Sequence, residues 1–277
     1  MSRQRTHYVT SADGTTIGGT VHGDGPPLVL LQGWIGDADI DWLAVAAHLT
    51  DRFTCHLVSN RGRGLTGDSP DLSPGRLIEY AVAYVESIGQ PVGLVGWSGG
   101  ASIALAVAAQ SDSVRAAAPF ESGAVSLIDE QEQAALGQAL SGMGELASHG
   151  DLEAAARRFA EWPFSEQEVA QAADAGYFEK AARYVPNALN FWQQVLAYEG
   201  PHADDTNLLF AISAPVFVLR GENTNRWIAE SARHFVDHIP NGQLRIIPGV
   251  GHAAPLTHPQ GLAEALAEVL APAEQLV

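Results

Sequence analysis

Residues 92–101 read Val92-Gly93-Leu94-Val95-Gly96-Trp97-Ser98-Gly99-Gly100-Ala101, and this stretch decides the fold. Val92 to Val95, opened by Pro91, has the length and character of a strand buried on both faces of a parallel sheet. From Ala101 to Ala109 the chain is apolar all round, as suits a helix packed inside a fold. Three glycines surround one serine in between. A strand that passes into a helix over so short a stretch needs a sharp, strained turn, and glycine lets the two backbones approach closely. The spacing Gly96-x-Ser98-x-Gly100 lifts the Ser98 hydroxyl to the sheet edge, at a helix N-terminus that favours developing negative charge. A bystander serine in a glycine-rich turn would share the letters. The strand before it and the helix after it point to a nucleophile.

Working outward, the same alternation holds on both sides. Thr6–Ser11 and Thr15–His22 flank Ala12-Asp13-Gly14, which predicts a hairpin. Leu28–Leu31, Phe53–Val58 and Val114–Phe120 are further strands. Apolar residues at 78, 81, 82, 85 and 88 have helix spacing. After about Val125 the pattern changes: the chain is rich in Ala, Glu and Gln, without a strand signal, as far as Thr206. Helices are expected at Ser126–Ala147, Asp151–Trp162, Ser165–Ala175 and Asn187–Tyr198, and Ser165 with Glu168 has capping-box spacing. Alternation resumes with strand 216–219, a helix presenting Ile228, Ala232, Phe235 and Ile239, strand Leu244–Ile247 and helix Leu262–Leu270. The pattern is an α/β sheet interrupted by a helical insertion, which commonly covers a site at the carboxyl ends of the strands.

Composition narrows the partners. With 15 Lys+Arg against 32 Asp+Glu the net charge is −17, which repels nucleic acid and anionic membrane surfaces. Cys55 is the single cysteine, so an internal disulfide is excluded, and its apolar neighbours read as core. The N-terminus carries no apolar signal segment and no run reaches membrane-spanning length, so a cytoplasmic protein is expected. A monomer or homodimer is expected.

The chain resembles the α/β-hydrolase fold superfamily over nearly its whole length. Gln32-Gly33-Trp34, Arg61-Gly62-Arg63-Gly64, the turn at Ser98 and Pro248-Gly249-Val250-Gly251-His252 carry the resemblance, in the family's order. It implies a mostly parallel eight-stranded sheet flanked by helices, with a helical cap inserted after strand six. The expected core is then 1–121 and 207–277 and the cap 122–206. The resemblance also makes Ser98 the nucleophile and His252 the general base, whose imidazole titrates near neutrality. Backbone N–H groups of Trp34 and Gly99 would form the oxyanion hole. The family usually has His before Gly33. This chain has Gln32, which can also hydrogen-bond the loop. No cofactor is implied. His202, Asp204 and Asp205 read as a solvated loop, and no ligand set has metal-site spacing.

The acid is the departure. After strand 216–219 the family places a carboxylate three residues past the glycine, where this chain has Thr224. Glu222 or Asn225 could substitute, the enzyme could run as a Ser–His dyad, or the acid could have moved. Strand Val114–Phe120 ends in Glu121, an odd choice for structure alone. Some relatives, certain lactonases and dehalogenases among them, carry the acid after this sixth strand, so Glu121 is the expected acid and Glu222 the next choice.

A serine nucleophile implies acyl chemistry on an ester or lactone of a hydrophobic small molecule. Trp97, Trp162, Phe191 and Trp192 are the expected substrate-binding side chains, with Phe164 and Tyr198 nearby. The acid after strand six and Ser98-Gly99-Gly100-Ala101-Ser102 are similar to lactone hydrolases of the zearalenone-degrading type. Non-hydrolytic uses of the same fold remain open: a ligand receptor, or a cofactor-free oxygenase or lyase with His252 as base.

Overall fold

The apolar run before Ser98 is the middle of the sheet. The computed structural model describes residues 5–271, and the ends of the expected core, 1–4 and 272–277, lie outside the described residues. Strands β1 (Arg5–Thr10), β2 (Thr16–His22), β3 (Pro27–Leu31), β4 (Thr54–Val58), β5 (Val92–Trp97), β6 (Val114–Phe120), β7 (Val216–Gly221) and β8 (Gly242–Ile247) form one eight-stranded sheet. The spatial order is β1-β2-β4-β3-β5-β6-β7-β8. The hairpin strands pair antiparallel, β2 is antiparallel to β4, and every other pair is parallel. β3 and β5 are buried along their whole length, which explains their unbroken apolar sequence.

Helices α1 (Ala38–Ala46), α2 (Pro74–Ser87) and α3 (Gly99–Gln110) connect the first strands. Between β6 and β7 come α4 (Glu130–Ser148), α5 (Leu152–Ala160), α6 (Glu166–Asp174), α7 (Tyr177–Ala181), α8 (Val185–Leu196) and α9 (Thr206–Phe210). Then α10 (Arg226–His238) precedes β8, and α11 (Ala254–Thr257) and α12 (Pro259–Leu270) end the fold. α3 packs on β5 and β6, α2 and α9 pack on α3, and α10 covers β7 and β8. α1 packs against α11 and α12.

Several local expectations shift by a turn. The helix expected from Ser126 starts at Glu130, because Asp129 caps it and Val125–Leu127 forms a separate 3-10 turn. The capping box at Ser165 and Glu168 forms on both of its hydrogen bonds. The short helices α7, α9 and α11 carry too few turns for a clear period, and α1, as long as α5, places Asp41 on its buried face, which interrupts the apolar stripe. On α2 the buried stripe is Leu77, Tyr80, Ala81, Tyr84 and Val85, one residue round from the expected face. Tyr80 and Tyr84 bury their rings by finding partners for their hydroxyls, Asn60 Oδ1 and His56 Nδ1. That rotation turns Ile78 toward the cavity described below. Ile239 is buried but lies one residue past α10 with extended backbone. Leu244 and Ile246 are exposed because β8 is an edge strand. Cys55 is buried, as expected. Among the described residues no helix is long and apolar enough to cross a membrane.

Candidate active site

Parallel strands deliver their carboxyl ends to one edge, and four of them converge there. Ser98 follows β5 with φ 54° and ψ −118°, and its N–H donates to Phe120 O at 2.9 Å. Only one other non-glycine described residue has a positive φ, and it is Glu121, at 57°. Both are strained positions in a fold that otherwise reserves that region for glycine, and such strain collects at functional sites. The glycines beside Ser98 are required by close approach. A Cβ at Gly96 would lie 2.1 Å from Gly100 O, and one at Gly99 would lie 1.4 Å from the Trp34 ring.

Glu121 is buried, and each of its carboxylate oxygens is used. Oε1 accepts from Gly221 N–H at 2.7 Å. Oε2 accepts from Thr224 Oγ1 at 2.6 Å and faces His252 Nδ1 at 3.1 Å. A carboxylate at Nδ1 keeps the proton on that nitrogen and leaves Nε2 as the acceptor. Thr224, at the position where the resemblance implies an acid, hydrogen-bonds the Glu121 carboxylate from the neighbouring strand. Glu222 instead accepts from Gly249 N–H at 2.9 Å in an exposed turn, and Asn225 caps α10 through Ile228 N–H at 2.8 Å. Neither makes a hydrogen bond to His252 among the described contacts.

His252 is held from behind. Trp97 Nε1 donates to His252 O at 2.8 Å. The Trp97 and Phe164 rings flank the imidazole with centroids 6.0 and 5.9 Å away. Ala253 N–H donates to Glu168 Oε1 at 2.8 Å, so the residue that closes the α6 capping box also pins the histidine loop. No sequence signal distinguished that second role of Glu168.

The loop after β3 is braced by buried polar groups. Gln32 Nε2 donates to Gly36 O at 2.6 Å while Gln32 Oε1 accepts from Asn60 N–H at 2.9 Å, so it does hydrogen-bond the loop. Arg63 is fully buried and donates to Trp34 O at 2.7 Å, Gly36 O at 2.9 Å and Asn187 Oδ1 of α8 at 2.8 Å. Burial draws the guanidinium down to about 10. Gly33 N–H donates to Asp41 Oδ2 at 2.8 Å, and Tyr177 OH donates to Asp41 Oδ1 at 3.2 Å.

Asp41 lies wholly inside α1, and burial pushes its carboxyl from 3.8 up to about 7. The folded chain therefore takes up a proton between roughly pH 4 and 7 that the unfolded chain does not hold, and stability falls as pH rises through that window. A shift of about three units corresponds to a contribution on the order of 4 kcal/mol. Asp41→Asn should remove it: the Tm difference between variant and wild type is expected to grow in the variant's favour from pH 4 to pH 8, by thermal melts at matched ionic strength. A constant difference across that range would contradict the assignment.

Ser98 and His252 open onto a cavity of about 260 Å³, lined largely by apolar side chains. Trp162, Phe191 and Trp192 line it, as does Trp34, on which Phe191 stacks at 4.1 Å. Trp97 is not on that wall; it lines a separate small recess. Trp227, whose ring stacks on Trp162 at 5.6 Å, joins the cavity wall although it begins α10 and carried no distinguishing signal. His202 and Asp204 also line it, which corrects the solvated-loop expectation: Asp204 is buried, accepts from Ser126 N–H at 2.7 Å, and ties the two ends of the insertion together. Asp205 caps α9. Among the described residues no group of three or more His, Cys, Asp or Glu side chains could hold a metal ion.

Comparison with known proteins adds the lineage. A segment is 38% identical over 86 residues to the pimeloyl-[acyl-carrier protein] methyl ester esterase of Methylococcus capsulatus, spanning 31% of this chain and 32% of that protein. An alpha/beta hydrolase from Sphaerobacter thermophilus superposes with a TM-score of 0.72 at 25% identity, covering 95% of this chain and all of the other. An esterase from Rhodococcus sp. ECU1013 superposes with a TM-score of 0.77 at 21% identity, covering 98% of this chain and 99% of the other; at that identity the likeness is one of fold. The profile of the alpha/beta hydrolase family matches residues 21–265. A match over most of the sequence, on a sheet whose order and strand ends are those described above, makes this chain a member of the alpha/beta hydrolase family.

Proposed function

We propose that the protein hydrolyses the ester bond of a hydrophobic small molecule through an acyl-enzyme on Ser98, with 122–206 as a cap over the site. The observation that carries this reading is the pairing of His252 Nδ1 with the buried Glu121 carboxylate at 3.1 Å. It leaves Nε2 free to take the Ser98 proton as Oγ attacks the acyl carbon. Gly99 and Trp34 N–H groups hold the oxyanion, and the Arg63 and Asp41 hydrogen bonds keep the Trp34 loop in one conformation before substrate arrives. Collapse of the tetrahedral intermediate expels the alcohol, protonated by His252. Water, activated by the same imidazole, then releases the acid.

The apolar cavity and the esterase names among the similar proteins support an ester of a hydrophobic compound. Residues 122–206 carry fourteen acidic side chains against four basic ones, so a polyanionic substrate would meet repulsion at the mouth. The test is covalent labelling with a fluorophosphonate followed by peptide mapping, alongside turnover of a chromogenic short-chain ester. The label is expected on Ser98 alone and is abolished in Ser98→Ala. Labelling elsewhere, or no labelling and no ester turnover, overturns the proposal in favour of a receptor or a serine-independent lyase.

A further inference from the structure

Ser98 and His252 border two spaces, and the two are very unequal. Beside the chamber of about 260 Å³ lies a recess of about 20 Å³. A single water needs about 10–15 Å³, so the recess accommodates a group of about one carbon. The walls it does not share with the chamber are Gly33, Ile35, Trp97, Phe159, Phe164 and Tyr177.

Those walls are fixed in place. The Trp97 indole is tied to His252 O, and the Phe164 ring packs against both Trp97 and the His252 imidazole. Tyr177 OH is tied to Asp41. Ile35 belongs to the loop that Gln32 and Arg63 clamp at Gly36 O. Enlarging the recess therefore breaks a buried hydrogen bond or displaces a packed ring, and both are unfavourable.

An ester attacked by Ser98 has two substituents, one on the acyl carbon and one on the ester oxygen. They diverge from a tetrahedral centre whose other two bonds run to Ser98 Oγ and to the oxyanion. One arm fits the chamber and the other the recess. We infer that the substrate is an open-chain ester with one bulky hydrophobic arm and a second arm of about one carbon: a methyl ester of a bulky acid or an acetate of a bulky alcohol. This rests on the esterase reading and restricts it. The chemistry is balanced hydrolysis: the C–O bond breaks as Ser98 Oγ forms the acyl ester, the Ser98 proton passes through His252 to the departing alcohol, and water then supplies OH to the acid and returns H to Ser98 Oγ. A macrocyclic lactone, whose two arms are joined, would have to lie wholly in the chamber.

The experiment uses two series with the intact protein. One compares methyl and butyl 4-phenylbutanoate; the other compares 2-naphthyl acetate and 2-naphthyl hexanoate. Lengthening the small arm is expected to lower kcat/KM by roughly 100-fold in one series. A drop in the first assigns the recess to the alcohol, and a drop in the second assigns it to the acyl group. Phe164→Ala and Ile35→Ala, checked for native melting, are each expected to raise the long-to-short ratio in that series. Turnover of all four esters within a few-fold of one another overturns the inference while leaving the esterase reading standing, as does an unchanged ratio in both folded variants or a macrolactone processed as fast as the short esters. Absence of turnover together with absence of fluorophosphonate labelling removes the esterase reading, and the inference falls with it.

Discussion

Ser98→Ala is expected to lower kcat for ester hydrolysis by on the order of 10⁶-fold, and His252→Ala by a similar factor, while both variants melt close to wild type. The two effects should not multiply in the double variant, because each residue acts only through the other. The structural reason for retained folding differs at the two positions. Ser98 keeps its strained φ of 54° through the backbone bond from its N–H to Phe120 O, which alanine also makes. His252 loses its imidazole, but its carbonyl still accepts from Trp97 and the neighbouring Ala253 N–H still donates to Glu168. Kinetics with a chromogenic ester and far-UV melts settle both points. A kcat within tenfold of wild type in either folded variant would exclude a Ser98 acyl-enzyme.

Glu121→Gln is expected to lower kcat by about 10⁴-fold with little change in KM. A neutral amide cannot stabilise the imidazolium, and its NH₂ group facing Nδ1 would select the wrong tautomer. Size is conserved, the amide oxygen at the Oε1 position still accepts from Gly221 N–H, and the Thr224 hydroxyl can turn to accept from the NH₂ at the Oε2 position, so the strained turn should survive. Thr224→Val removes one hydrogen bond to the carboxylate, worth about 1.5–3 kcal/mol, and should cost roughly tenfold or more in kcat. Glu222→Gln should be close to neutral, because among the described residues its carboxylate accepts only from the Gly249 N–H, in an exposed turn. The ranking is the measurement: Glu121→Gln far below Thr224→Val, and Thr224→Val below Glu222→Gln. Equal losses at Glu121 and Glu222 would return the acid to the seventh-strand turn.

The amino-acid sequence by itself determined whatever is encoded within one turn or one strand. The residues around Ser98 carry their own strand, glycines and helix, and every expected strand from Thr6 to Ile247 forms within a residue or two of its predicted ends. The change of pattern after Val125 marked the helical insertion, and the capping box at Ser165 was legible from two letters. Tertiary structure alone decided which carboxylate meets His252. Glu121, Glu222 and Asn225 each sit in a locally plausible place, but the contact joins residues 131 apart and depends on β6 lying beside β7 with Phe120 opposite Leu219. The same holds for Arg63, whose three bonds reach the Trp34 loop and a helix 124 residues away, and for Asp41, whose carboxyl differs from any surface aspartate only through what covers it. The small recess is lined by Ile35, Trp97, Phe159, Phe164 and Tyr177 among others, residues from segments far apart in the chain. Propensity and hydrophobic period act between neighbours in the chain, whereas strand register, desolvation and the space left between side chains arise only when distant segments pack.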